Sequence, residues 1–121
     1  MNSKKILVID DNKAILESLS LMLDFEGFDV EAKEDAKDFF EKYKDEKPDL
    51  IMLDIMLQGE DGRDICREIK LQEHFKNIPI VMMSAGKNME ESALESGADV
   101  FIPKPFDFDV MIEKVKQLIT P

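Results

Sequence analysis

The sequence predicts a three-layer, doubly wound α/β domain of (βα)5 type, a five-stranded parallel sheet with helices on both faces. Three observations carry that prediction. Short apolar runs rich in Ile, Val, Leu and Met recur about every 22 to 28 residues, each bounded by a turn or cap signal. Between these runs the apolar residues return at helical spacing. Such alternation, with nearly continuous apolar strands, implies parallel pairing, because each right-handed crossover carries a helix onto one face of the sheet.

The first strand is read at Lys5–Asp10, and the following helix places Ile15, Leu19, Met22 and Leu23 on one face before Gly27 ends it in the left-handed conformation. The second strand spans Phe28–Ala32, and the second helix groups Phe39, Phe40 and Tyr43. Pro48 punctuates the approach to the third strand, Leu50–Asp54, and Ile65 and Ile69 share a face of the third helix. The fourth strand is read at Ile78–Ser84, with Pro79 at its approach. Helical spacing is faintest over Met89–Ser96, a stretch closed by Gly97. The fifth strand, Val100–Pro103, leads into a helix whose apolar face holds Met111, Val115, Leu118 and Ile119. In the flavodoxin-like order 2-1-3-4-5, strands one and three are neighbours at the switch point, and a crevice opens beyond their carboxyl ends. That order also puts Pro103 in an edge strand, where a missing backbone N–H is tolerated.

With 121 residues there is length for one core, so residues 1–121 are expected to form a single domain. Hydrophobic residues at 44% beside charged residues at 36% describe a soluble chain, and no apolar run approaches the ~20 residues of a membrane helix. The N-terminus lacks the length and cleavage site of a secretory signal, which makes the cytoplasm the expected location. Cys66 is the only cysteine, which excludes an intramolecular disulfide and a thiolate metal cluster and leaves a buried thiol as its reading. A net charge of −11 argues against direct binding of nucleic acid or an anionic membrane, and for cations or basic partners. His74 lies in a polar stretch with no nucleophile motif and is read as a surface residue. The eight methionines do not cluster, and are read as packing rather than a copper site.

Strand one ends in Asp10 and Asp11 and strand three in Asp54, so the predicted fold gathers three carboxylates at one crevice. Mutual repulsion there is relieved by a raised pKa or by a hard divalent cation such as Mg²⁺. The competing reading is that Asp11 or Asn12 simply caps the first helix. Ser84 ends strand four and Lys104 follows strand five, bringing a hydroxyl and an ammonium to the same crevice. Singly, each is an ordinary surface residue type. Together with a carboxylate and a metal they suit a phosphoryl group, whose three charged oxygens need donors and cations, and Asp54 becomes the candidate nucleophile.

Val8-Ile9-Asp10-Asp11, Leu53-Asp54 followed by Gly62, Met83-Ser84-Ala85 and Pro103-Lys104-Pro105-Phe106 resemble, in order and across nearly the whole chain, the motifs of two-component response-regulator receiver domains, the CheY-like family. The resemblance implies a phospho-accepting switch in a phosphorelay. Asp54 would take a phosphoryl group from a histidine kinase or phosphotransfer protein. Mg²⁺ (or Mn²⁺) would be held by Asp10, Asp11, Asp54 and the backbone carbonyl of Met56, while Ser84 and Lys104 would contact the phosphoryl oxygens. It further implies a cis bond between Lys104 and Pro105, a geometry reserved for proline. Phe101 is similar to the family's switch aromatic, which turns inward with Ser84 and reshapes the face formed by helix four, strand five and helix five; a core phenylalanine is the plain alternative. That face would meet a downstream effector protein or output domain, or form a phosphorylation-dependent homodimer. The chain departs from the family in carrying Gln58 where proline is frequent, in a loop that also holds Gly59 and Gly62. Met56 and Gly86 occupy the positions that influence acyl-phosphate hydrolysis. Neither can orient water through its side chain, which predicts a comparatively long-lived phosphorylated state.

Two other functions compete. A phosphatase of the haloacid-dehalogenase type also uses strand-end aspartates and Mg²⁺, but its nucleophile sits in an Asp-x-Asp motif, whereas this chain has Asp10-Asp11-Asn12. An inactive receiver serving only as a docking module would not require the full set of Asp10, Asp11, Asp54, Ser84 and Lys104. The expected protein is therefore a signalling domain that catalyses only its own aspartyl phosphorylation and dephosphorylation. Thr120-Pro121 close the sequence after the last helix, as expected of a stand-alone regulator or of a domain separated from its effector.

Overall fold

The computed structural model describes residues 3–119; Thr120 and Pro121 lie outside the described residues. In chain order the elements are β1 (Lys5–Ile9), α1 (Lys13–Phe25), β2 (Asp29–Lys33), α2 (Phe39–Lys42), β3 (Leu50–Asp54), β4 (Met56–Leu57), β5 (Glu60–Asp61), α3 (Gly62–Leu71), β6 (Ile80–Ser84), α4 (Glu90–Glu95), β7 (Val100–Pro103) and α5 (Phe108–Leu118). The main sheet is parallel with order β2-β1-β3-β6-β7. This is the strand order the sequence predicts, with the β4–β5 hairpin added between β3 and α3 as a separate antiparallel pair.

Every residue of β3 and β6 is buried, whereas the edge strand β2 is only half-buried. Successive residues of one strand point to opposite faces and divide the core in two. On one face Leu7, Ile9, Ile51, Leu53 and Met82 pack with Phe39, Ile65, Ile69 and Ala93, under α2, α3 and α4. On the other, Ile6, Val8, Met52 and Val81 meet Leu16, Leu19 and Leu23 of α1 and Met111, Ile112 and Val115 of α5. Cys66 is fully buried in the first cluster, and the tight burial lifts its thiol pKa.

Some boundaries shift from those predicted, for local reasons. Phe28 lies outside β2 and closes the end of α1, its N–H donating to the Leu23 carbonyl and Gly27 N–H to that of Asp24, with Gly27 at φ +98°. This is a Schellman closure, and Gly97 at φ +111° with Ala98 repeats it after α4. Ile78 donates to Phe75 in a turn and Pro79 has no N–H to give, so β6 begins at Ile80. No helix among the described residues is long and apolar enough to cross a membrane.

Candidate functional site

The carboxyl ends of β1, β3, β6 and β7 form one rim of the sheet, and the polar residues singled out in the sequence are found along it or just beyond it. Asp10 is fully buried, Asp54 nearly so, and Ser84 fully buried, a costly state for polar groups without partners. Partners are present. Lys104 reaches in from the loop after β7 and donates to Asp10 Oδ2 at 2.6 Å and to Asp54 Oδ2 at 3.1 Å. The second oxygen of each aspartate accepts a backbone N–H two residues on, Asn12 at 2.9 Å for Asp10 and Met56 at 3.1 Å for Asp54. Ser84 Oγ accepts from Gly86 N–H at 2.9 Å, and the Ser84 carbonyl accepts from Lys104 N–H at 2.8 Å. The peptide bond between Lys104 and Pro105 is cis.

The capping alternative is divided between neighbours. Asn12 caps α1, its side chain accepting from Ile15 N–H at 3.1 Å, and Asp11 remains in the cluster. Asp10, Asp11 and Asp54 each offer a carboxylate oxygen, all within 4.8 Å of one another, and Asp11 is exposed. Three carboxylates against one ammonium leave an excess of negative charge. Hard oxygen donors at this separation fit a divalent cation such as Mg²⁺ or Mn²⁺.

Burial drives the Asp54 carboxyl above its usual pKa, and the charge of Asp10 adds to the rise, against the pull of the Met56 N–H and Lys104. For Lys104, burial works to lower the pKa, but the bonds to Asp10 and Asp54 outweigh it and hold the amine above the ordinary lysine value. The charged form of Lys104 is thus favoured beside the two aspartates. Gly62 is required by contact: a Cβ there would lie 2.2 Å from the carbonyl oxygen of Asp54, and its N–H donates to Ile55 at 2.7 Å.

Phe101 is half-buried on β7, packed at the margin of one core cluster beside Met89. It borders a cleft of about 890 Å³ that Met89, Glu90, Leu94 and Pro103 also line. The sequence held no signal for one further residue. Arg63 grips Asp61 through Nε at 2.9 Å and a second nitrogen at 2.6 Å, and also donates to Ser92 Oγ of α4 at 3.1 Å. Its partners are set by the hairpin and by the placement of α4, neither of which periodicity reveals.

The family model for the response regulator receiver domain matches residues 6–116. The chain belongs to this family. It is 34% identical over 119 residues to the response regulator MprA of Mycobacterium ulcerans, covering 97% of this chain and 50% of that protein. The chain thus spans about half the length of the curated relatives it matches. Among solved structures it superposes with a TM-score of 0.88 on the signal receiver domain of a signal transduction histidine kinase from Syntrophus aciditrophicus, at 28% identity and covering 98% of this chain and 91% of that one. The chemotaxis response regulator CheY4 of Vibrio cholerae shares the fold at a TM-score of 0.87, with 22% identity and coverage of 98% and 100%. The domain is accordingly a receiver, a signalling module of two-component systems, and the three-aspartate cluster lies where its motifs converge.

Proposed function

We propose that this receiver is a phospho-accepting switch in which Asp54 takes a phosphoryl group from the phosphohistidine of a histidine kinase or phosphotransfer protein. The observation that carries the reading is the contact of one half-buried ammonium, Lys104, with both Asp10 and Asp54, beside a third carboxylate from Asp11. Residues 1–121 act as one domain in this reading, reporting to a downstream effector or output domain.

Asp54 attacks phosphorus through a carboxylate oxygen; the phosphorus–nitrogen bond to the donor imidazole breaks, and the imidazole leaves with its electron pair. The Met56 N–H orients Asp54 through Oδ1 and leaves Oδ2, now shared with Lys104, to face the donor. Lys104 remains cationic and can transfer its contact from the consumed carboxylate charge to a phosphoryl oxygen. Ser84, now held by Gly86, supplies a hydroxyl to a second oxygen. Asp10, Asp11, Asp54 and the Met56 carbonyl would hold Mg²⁺ or Mn²⁺, which when bound neutralises charge between the carboxylates and the phosphoryl oxygens. Movement of Ser84 toward the phosphoryl group would vacate space for Phe101 and reshape the face of α4, β7 and α5, the surface offered to an effector or to a second phosphorylated copy.

The experiment is incubation with Mg²⁺ and acetyl phosphate or phosphoramidate, followed by intact-mass measurement. The expected result is a gain of one phosphoryl group, abolished in Asp54→Asn. With Met56 and Gly86 unable to orient water through their side chains, the modified protein should keep its phosphoryl group for minutes after desalting. An unmodified wild type, or continuous turnover of phosphate esters, would remove the proposal, and loss of the group within seconds would remove the lifetime argument.

A further inference from the structure

We propose that the backbone N–H of Gln58 is a latch on Asp11, competing with a divalent cation for that carboxylate and thereby setting the cation affinity of the site. The inference rests on the reading of Asp10, Asp11 and Asp54 as a divalent site.

The latch belongs to the hairpin that no strand pattern announced. Met56 pairs with Asp61 and Leu57 with Glu60, leaving Gln58 and Gly59 as the turn. Gly59 has φ +78°, and Gln58 is not among the non-glycine residues of positive φ, which is the pattern of a type II turn. Type II turns splay the strands they join, consistent with a pairing only two residues long. The hairpin is fixed at its base, where Met56 N–H bonds Asp54 Oδ1 and Gly62 N–H bonds the Ile55 carbonyl. Its tip is tied across the crevice by one bond, from Gln58 N–H to Asp11 Oδ2 at 2.8 Å.

That bond occupies a member of the acidic trio. Asp10 and Asp54 share Lys104 and each take a second donor, whereas the donor to Asp11 among the described hydrogen bonds is Gln58. A cation drawing on the Asp11 carboxylate weakens or displaces the Gln58 bond and frees the hairpin tip; with no cation, the bond offsets part of the repulsion in the trio. Gln58 acts through Asp11 and is a positioning residue, and the acting atom is its amide nitrogen rather than its side chain.

Two substitutions separate these atoms. Proline suits the first central position of a type II turn but has no N–H, so Gln58→Pro keeps the turn and deletes the donor. Gln58→Ala keeps the donor and deletes the side chain. Calorimetric titration with Mg²⁺ should show binding about fivefold tighter in Gln58→Pro, the effect of one hydrogen bond removed from the competition, and unchanged in Gln58→Ala. In the wild type, the Gln58 amide should be protected from hydrogen exchange without cation and exchange faster at saturating Mg²⁺, read by NMR without any variant. Equal Mg²⁺ affinity in all three proteins, or a Gln58 amide indifferent to Mg²⁺, overturns the latch while the cation site stands. Absence of Mg²⁺ uptake by the wild type overturns site and latch together.

Discussion

Helices α1 and α4 occupy matching places in the fold and are built to different standards. Each follows a strand that delivers a buried polar residue, Asp10 before α1 and Ser84 before α4. α1 runs thirteen residues, is capped by Asn12 and buries Leu16, Leu19 and Leu23. α4 runs six, its N-cap position is Met89 with no side-chain bond, and its one buried residue is Ala93. A helix with little buried apolar area and an uncapped start lies at the low end of local stability, where moving elements are found. The difference teaches that the acidic side of the site, at Asp10 and Asp11, adjoins the well-buried, capped helix, while the hydroxyl side, at Ser84, adjoins the helix with little buried area.

The largest test of this contrast is on the α1 side. Leu19 is fully buried between the sheet and α5, so Leu19→Ala should cost about 3 kcal/mol of global stability through lost burial and the cavity left behind. Urea unfolding would measure it as a lower midpoint with an unchanged slope. A loss below about 1 kcal/mol would mean that α1 is not the well-buried helix described here.

A smaller effect is expected from the tether of α4. Arg63 joins Asp61, at the base of the hairpin, to Ser92 on α4, with Met89 Sδ at 3.9 Å from the same nitrogen that reaches Ser92. Partly exposed pairs of this kind contribute up to about 1 kcal/mol, so Arg63→Ala should lower global stability by less than that. Its local effect should be plain: amides of residues 90–95 exchange faster, while those of α1 do not change. Equal acceleration in both helices would show that Arg63 supports the whole core and not α4 in particular.

The contrast was half legible in the sequence. Periodicity gives α1 because Ile15, Leu19, Met22 and Leu23 recur at helical spacing, and it gives the sheet because Leu50–Asp54 and Ile78–Ser84 read as near-continuous apolar runs, the second starting two residues ahead of β6. For α4 the same signal fades, since one small buried residue leaves no periodic stripe, and that weakness is itself physical. Asp10, Asp11, Asp54, Ser84 and Lys104 could be named because strand ends in this topology converge on one crevice. The Arg63 clamp and the Gln58 bond could not, because both depend on a hairpin of two-residue strands, too short to alternate. His74, read as a surface residue, is exposed as expected, yet its ring bonds the Lys44 carbonyl and packs edge-on against Phe75, a tie between two loops that spacing does not encode.

The smallest expected effect sharpens the same comparison through pH. The hydrogen bonds from the Arg63 guanidinium hold the Asp61 carboxyl below its ordinary pKa, and burial opposes them only in part. A carboxyl depressed in the folded state contributes stability above its unfolded pKa of about 4, and that contribution fades as pH falls through the folded value. Asp61→Asn retains a side-chain oxygen able to cap α3, where Asp61 now accepts the Arg63 N–H, but it cannot titrate. As pH falls through about 4 and on toward the folded value, α4 amides of the wild type should lose more protection than those of Asp61→Asn, with α1 parallel in both. Because the pair is partly exposed, the gap should narrow in high salt. Identical α4 profiles for the two proteins across that range would sever the link between the clamp and the helix.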